Sequence, residues 1–167
     1  MTLTAQMHEV LKNAELFRGF TLDGIWRLTA IGRSRALAAG DYLFLLGDPA
    51  ECIYVVANGA MELCLPMTVA GAVRDVRVES AGAGKALGWS ALVRPYRFTL
   101  SARAAEAAVV IGFPRADLQV LFDAAPDLGK CFLGNLSELV GVRLLTFQTL
   151  WVRELQHAVL NEANQRR

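Results

Sequence analysis

The chain has 167 residues, 54% of them hydrophobic and 20% charged, with a formal net charge of +1. That balance excludes a disordered chain and provides no general attraction to nucleic acid or an anionic membrane, so neither partner is expected. The length holds one domain with an appended element and falls short of two full-sized domains.

In chain order, Met7 to Leu16 has helical spacing at Met7, Val10, Leu11 and Ala14. The N-terminus carries no basic segment followed by an apolar one, and no apolar run approaches the ~18 residues that cross a bilayer, so a cytoplasmic location is expected. The longest such run, Ala104 to Phe113, is interrupted by Glu106 and Gly112. A second helix is expected to start at Thr21, a capping residue, with Trp26 and Leu28 to Ile31 supplying its buried face.

From Ser34 to Phe113 glycines recur between short apolar or alternating runs: Tyr42–Leu46, Cys52–Ala57, Ala60–Leu65, Val73–Val78, Phe98–Ala102 and Ala108–Gly112. Strands at intervals near ten residues predict an all-β roll or barrel. Gly40-Asp41, Gly47-Asp48 and Asn58-Gly59 are turn pairs, and Asn58-Gly59 between two apolar strands predicts a hairpin.

Pro114 opens a short helix, Arg115 to Phe122, and Asp123–Asp127 reads as a connector. Beyond it Leu136, Val140, Leu144, Phe147, Trp151, Leu155 and Val159 follow at steps of three or four, flanked by Leu133, Leu139, Leu145, Leu150 and Val152. A helix so broadly apolar is not stable with water on all sides but one. It is expected to pack on the roll and, through Leu136, Val140, Leu144, Phe147, Trp151 and Leu155, on a second copy, giving a homodimer. A different protein partner stays open. Residues 1–125 should form the roll with its N-terminal helices, and 126–167 the long helix.

Catalytic constellations fail on inventory. The two histidines, His8 and His157, lie at opposite ends of the chain, which rules out a metal site of several His inside a barrel and disfavours a Ser/His or Cys/His pair. No metal ligand set and no enzyme are expected. Cys52, Cys64 and Cys131 form no C-x-x-C and read as free thiols. Gly82-x-Gly84-x-x-x-Gly88 lacks the Lys-Ser/Thr ending of a P-loop.

The order helix, glycine-punctuated roll, short helix, long helix resembles the cyclic-nucleotide-binding domain of catabolite-activator-type bacterial regulators, from about Leu11 to Leu155. The likeness is carried by Ala38–Leu63 with Gly40, Gly47-Asp48 and Gly59, by Gly84–Ala104, and by Val110–Phe122. It implies a double-stranded β-helix, a jelly-roll-like β roll with short N-terminal helices and a long C-terminal dimerisation helix. It also implies a sensor or regulatory function. In family members that act on DNA the long helix leads into a helix-turn-helix module, for which the 167 residues leave no room; DNA reading is not expected.

Gly84–Ala104 has the spacing of the family's phosphate-binding cassette: Gly84, Gly88, Ala91, Leu92, Ser101, Arg103 and Ala104 fall in step with it. Trp89, however, stands where the family's ribose-binding Glu belongs, and Phe98 where its phosphate-binding Arg belongs. The resemblance places the ligand site at Gly88, Trp89, Ser90, Ala91, Arg97, Phe98 and Thr99. Three readings follow. Trp89 and Phe98 face each other and fill the pocket, leaving an interaction or scaffold module. Alternatively Arg97, Ser90 and Thr99 form a repurposed site for a cyclic nucleotide or another small anion, or a less charged ligand binds. Adjacent residues on a strand point to opposite faces, which turns Arg97 outward unless Pro95-Tyr96 shifts the register. No cofactor is assigned with certainty.

Overall fold

The computed structural model describes residues 3–165. Two helices lead in: α1 (Leu3–Asn13) and α2 (Leu22–Ile31), separated by a 3-10 turn at Glu15–Phe17. Thr21 caps α2 as its sequence predicts, its hydroxyl accepting from Gly24 N at 3.1 Å. Eight strands follow: β1 (Arg33–Leu37), β2 (Tyr42–Phe44), β3 (Cys52–Asn58), β4 (Met61–Val69), β5 (Ala72–Ala81), β6 (Ala86–Leu87), β7 (Ser101–Ala104) and β8 (Ala108–Pro114). The chain closes with α3 (Arg115–Ala124) and α4 (Pro126–Gln165). The expected double-stranded β-helix is present as two antiparallel four-stranded sheets, ordered β1-β8-β3-β6 and β2-β7-β4-β5.

The alternation of β3 divides the hydrophobic core. Ile53 and Val55 face the helices, where they meet Leu11, Phe17, Leu28, Phe113 and Phe132. Val56 and Tyr54 face the opposite sheet, among Phe44, Leu63, Leu87 and Phe98. A strand buried on both faces loses its polar positions, which is why β3 and β8 read as nearly continuous apolar runs.

Several expectations are corrected. Asn58-Gly59 is a turn but no hairpin: β3 pairs with β6 and β8, while β4 pairs with β5 and β7, so the turn carries the chain from one sheet to the other. Gly59 has φ +76°, and a Cβ there would lie 2.4 Å from Ala107 O. Glycine is required by the crossing as well as by the turn. The long hairpin is β4–β5, paired from Met61↔Ala81 to Val69↔Ala72, with Ala70 and Gly71 at φ 50° and 79° in its tip. Phe98 lies before β7 and not in it, where Gly47 N donates to Phe98 O and Phe98 N donates to Asp48 O across two loops. β1 and β6 carry no apolar run that marks a strand: β1 exposes four of its five residues, and β6 has only two. Trp26 is 51% exposed and stacks on His8 at 4.2 Å instead of entering the core. The connector before the long helix shrinks to Ala125, with Pro126 at the first position of α4.

The first half of α4 belongs to the core. Phe132 and Leu136 are buried, Leu139 and Val140 pack beside them, and Asn135 Nδ2 donates to Leu16 O and Arg18 O at 3.0 and 2.8 Å. Leu128 approaches α2 so closely that a Cβ on Gly24 would meet it at 2.8 Å. From Leu144 to Val159 the large side chains are exposed. No described helix is long and apolar enough to cross a membrane.

Candidate functional site

The cassette starts at Gly88, whose φ of +75° turns the chain into a 3-10 turn at Trp89–Leu92. A Cβ at Gly88 would press on the Phe98 ring at 3.0 Å and on Cys52 O at 3.2 Å. Ser90 and Ala91 are buried in that turn.

Phe98, 5% exposed, points inward and stacks on Phe44 with 3.7 Å between centroids and 9° between planes; Phe44 in turn stacks on Tyr54 at 5.9 Å. Burial pushes the Tyr54 phenol up to about 12, so it enters this stack neutral. Trp89 borders the same space, but its ring packs against the helix-side core, so the expected Trp89–Phe98 pair is replaced by Phe44–Phe98. The hollow left over the cassette is about 30 Å³, one water's worth and far below the few hundred Å³ of a small-molecule pocket. Phe44 was missed because its strand lies 54 residues from Phe98.

Arg97 points away, as strand alternation implies: its Nη1 donates to Gly47 O at 2.7 Å, and its side chain is exposed. The register is not recovered by Pro95-Tyr96, although Tyr96 does adopt φ +58°. Thr99 sits exposed on the rim. Of the predicted ligand residues, the fold therefore gathers Gly88, Trp89, Ser90, Phe98 and Thr99 around the hollow, with Ala91 beneath them and Arg97 outside.

Two further arginines shape the site. Arg115, at the start of α3, donates through Nη1 to Ala91 O and Ala50 O at 3.0 and 3.3 Å, and its guanidinium lies 4.0 Å from the Tyr96 ring centre. It clamps the cassette turn, the Pro49-Ala50 loop and Tyr96 together. Arg143 reaches from α4 into the roll, where Nη2 donates to Ala86 O at 2.8 Å and lies 3.2 Å from Glu79 Oε1. Its signal was present in the sequence, since it follows Leu136 by seven residues and so shares the roll-facing side of the helix.

Of the expected dimer seam, Leu136 and Val140 face the roll, while Leu144, Phe147, Trp151 and Leu155 are exposed at 57, 41, 64 and 47%. Leu133 extends this exposed face toward the start of the helix. No cluster of metal-ligating side chains occurs among the described residues.

Two packed antiparallel sheets, a glycine-led 3-10 turn over their shared core and a long terminal helix define a jelly-roll-like β roll with a C-terminal helix. A profile of the cyclic nucleotide-binding domain family matches residues 34–125, and the chain belongs to that family. Its fold is similar to a cyclic nucleotide-binding domain from Methylobacillus flagellatus (20% identity, 84% of this chain and 78% of that one, TM-score 0.72). It is likewise similar to the N-terminal domain of a transcriptional regulator from Streptomyces coelicolor (25% identity, 78% and 91% covered, TM-score 0.68). Among curated proteins it is similar to Glutaminase 1 of Bradyrhizobium diazoefficiens, 29% identical over 140 residues. The match takes in 83% of this chain and 22% of that protein's length.

Proposed function

We propose that the chain is a non-enzymatic regulatory module whose cassette does not take a cyclic nucleotide in the conventional way, and which signals through α4 paired with a second copy. The observation that carries the first part is Phe98: its ring occupies the space of the expected phosphate cation and stacks on Phe44, leaving about 30 Å³. The second part is supported by the exposed face of Leu144, Phe147, Trp151 and Leu155, too large an apolar surface for a helix that faces only water. The likeness to about a fifth of a longer glutaminase fits a module that works beside an effector.

Thermal unfolding with cAMP and cGMP tests the first part. A ligand at about 100 times its Kd stabilises by roughly 2.7 kcal/mol, a shift of a few degrees for a domain of this size. No shift is expected with either nucleotide, and a rise of that size would overturn the reading. Phe147→Asp with Trp151→Asp tests the second part: size-exclusion chromatography with light scattering should show dimers for the native chain and monomers for the variant. A variant that stays dimeric moves the interface elsewhere. A native chain that is monomeric favours the other reading, a scaffold module that offers the same helix face to a different protein.

A further inference from the structure

Arg143 stands in the wall between two hollows. One is the small space over the cassette, and the other is a cleft of about 350 Å³ between α4 and the roll. Its side chain is only 14% exposed. Both of its contacts, Ala86 O and the Glu79 carboxylate, go through Nη2; Nε and Nη1 have no partner among the described residues. A guanidinium carries five N–H donors in a fixed fork, so the three on Nε and Nη1 are left for whatever occupies the hollows. Glu79 is a single-point partner at 3.2 Å, whereas the fork is built for two parallel bonds to a carboxylate or phosphate. The larger cleft has the volume of a small-molecule site and apolar walls at Val142, Phe147 and Leu150.

We propose that Arg143 is the anion-binding group of a small-molecule site in the cleft between α4 and the roll, with the Glu79 carboxylate as internal stand-in for the ligand's anionic group. The matching ligand is a compact organic anion, a carboxylate or phosphate monoester on an apolar or aromatic body. The acidic group bonds to Nη1 and, in place of Glu79, to Nη2, and the body lies against Val142, Phe147 and Leu150. This deepens the regulatory reading above and rests on it. Because the cation belongs to α4, a ligand that draws it from Glu79 exchanges a tie between helix and roll for one between helix and ligand.

The test uses 8-anilinonaphthalene-1-sulfonate, a fluorescent aromatic anion, beside N-phenyl-1-naphthylamine, the same skeleton without the sulfonate. Both are titrated against the native chain and against Arg143→Gln, Glu79→Gln and Trp151→Asp, with folding checked by circular dichroism. The native chain should bind the sulfonate saturably. Arg143→Gln should weaken it about tenfold and leave the neutral dye unchanged, as expected for loss of a charge-assisted hydrogen bond. Glu79→Gln should tighten the sulfonate severalfold, an outcome that stands even where Arg143→Gln fails to fold. Trp151→Asp should alter neither dye. No saturable binding, equal effects on both dyes, or weaker sulfonate binding by Glu79→Gln would each overturn the site. Dimerisation is read separately, so an intact dimer with no Arg143 dependence removes this site alone, and a monomeric native chain removes helix pairing alone.

Discussion

Phe98 and Trp89 replace two charged groups with rings, and the two rings have gone different ways. Phe98 joined the inter-sheet core through Phe44, while Trp89 joined the helix side. That the charged anchors are absent was legible from residue spacing alone, because the cassette needs no gap between Gly88 and Ala104. Where the rings would go was not legible, since Phe44 and the helix-side core lie far from them in sequence. Phe98→Arg alone should destabilise by about 3 kcal/mol or more, because it places an unpaired cation in a buried site near Arg143. Adding Trp89→Glu should recover part of that loss, since charges in contact couple by about 0.5–3 kcal/mol. It should also let cAMP raise the unfolding midpoint, a rise not expected of the native chain. Urea unfolding of the single and double variants measures the first two effects, and a thermal screen the third.

Among the elements, the strands buried on both faces were the most legible and the edge strands the least. β3 and β8 stand out as apolar runs, whereas β1 carries Arg33, Ser34 and Arg35 on an exposed edge and resembles a loop. Turn chemistry located the Asn58-Gly59 bend but not its partner strands, because a turn pair records local dihedrals and says nothing of which sheet receives the chain. Two glycines with nearly equal φ separate these contributions. Gly71→Ala, at φ +79° with open space around it, should cost about 1–2 kcal/mol for the left-handed backbone alone. Gly59→Ala adds a clash with Ala107 O and should cost clearly more, about 3 kcal/mol or above. Urea midpoints of the two variants check the difference, and equal costs would mean that the crossing has room to adjust.

Across the whole molecule, α4 is two helices in one. Its 40 residues extend about 60 Å. The part as far as Arg143 is held by Phe132, Leu136, Asn135 and the Glu79 pair, and the large side chains from Leu144 to Val159 are exposed, Phe147 and Leu150 only bordering the cleft beside the roll. The periodicity made the helix plain, yet a single stripe could not show where its roll contact ends and its outward face begins. Hydrogen exchange should mark that change. Amides from Phe132 to Arg143 should stay protected at any concentration. Those from Leu144 to Leu155 should lose protection on dilution, or in Phe147→Asp with Trp151→Asp. Uniform protection along α4 at all concentrations would show that the outer half needs no partner.

The Arg115 clamp has a consequence for how this domain meets any visitor. Two carbonyls and a tyrosine ring are already gathered on one guanidinium, so the loops of the cassette lose their conformational freedom when the chain folds, not when something arrives. Docking near this surface then has little loop ordering to offset, and it also has little disorder to convert into a signal. On the regulatory reading proposed above, a signal would travel as displacement of a preset body, with the helix that leaves the roll as its moving part.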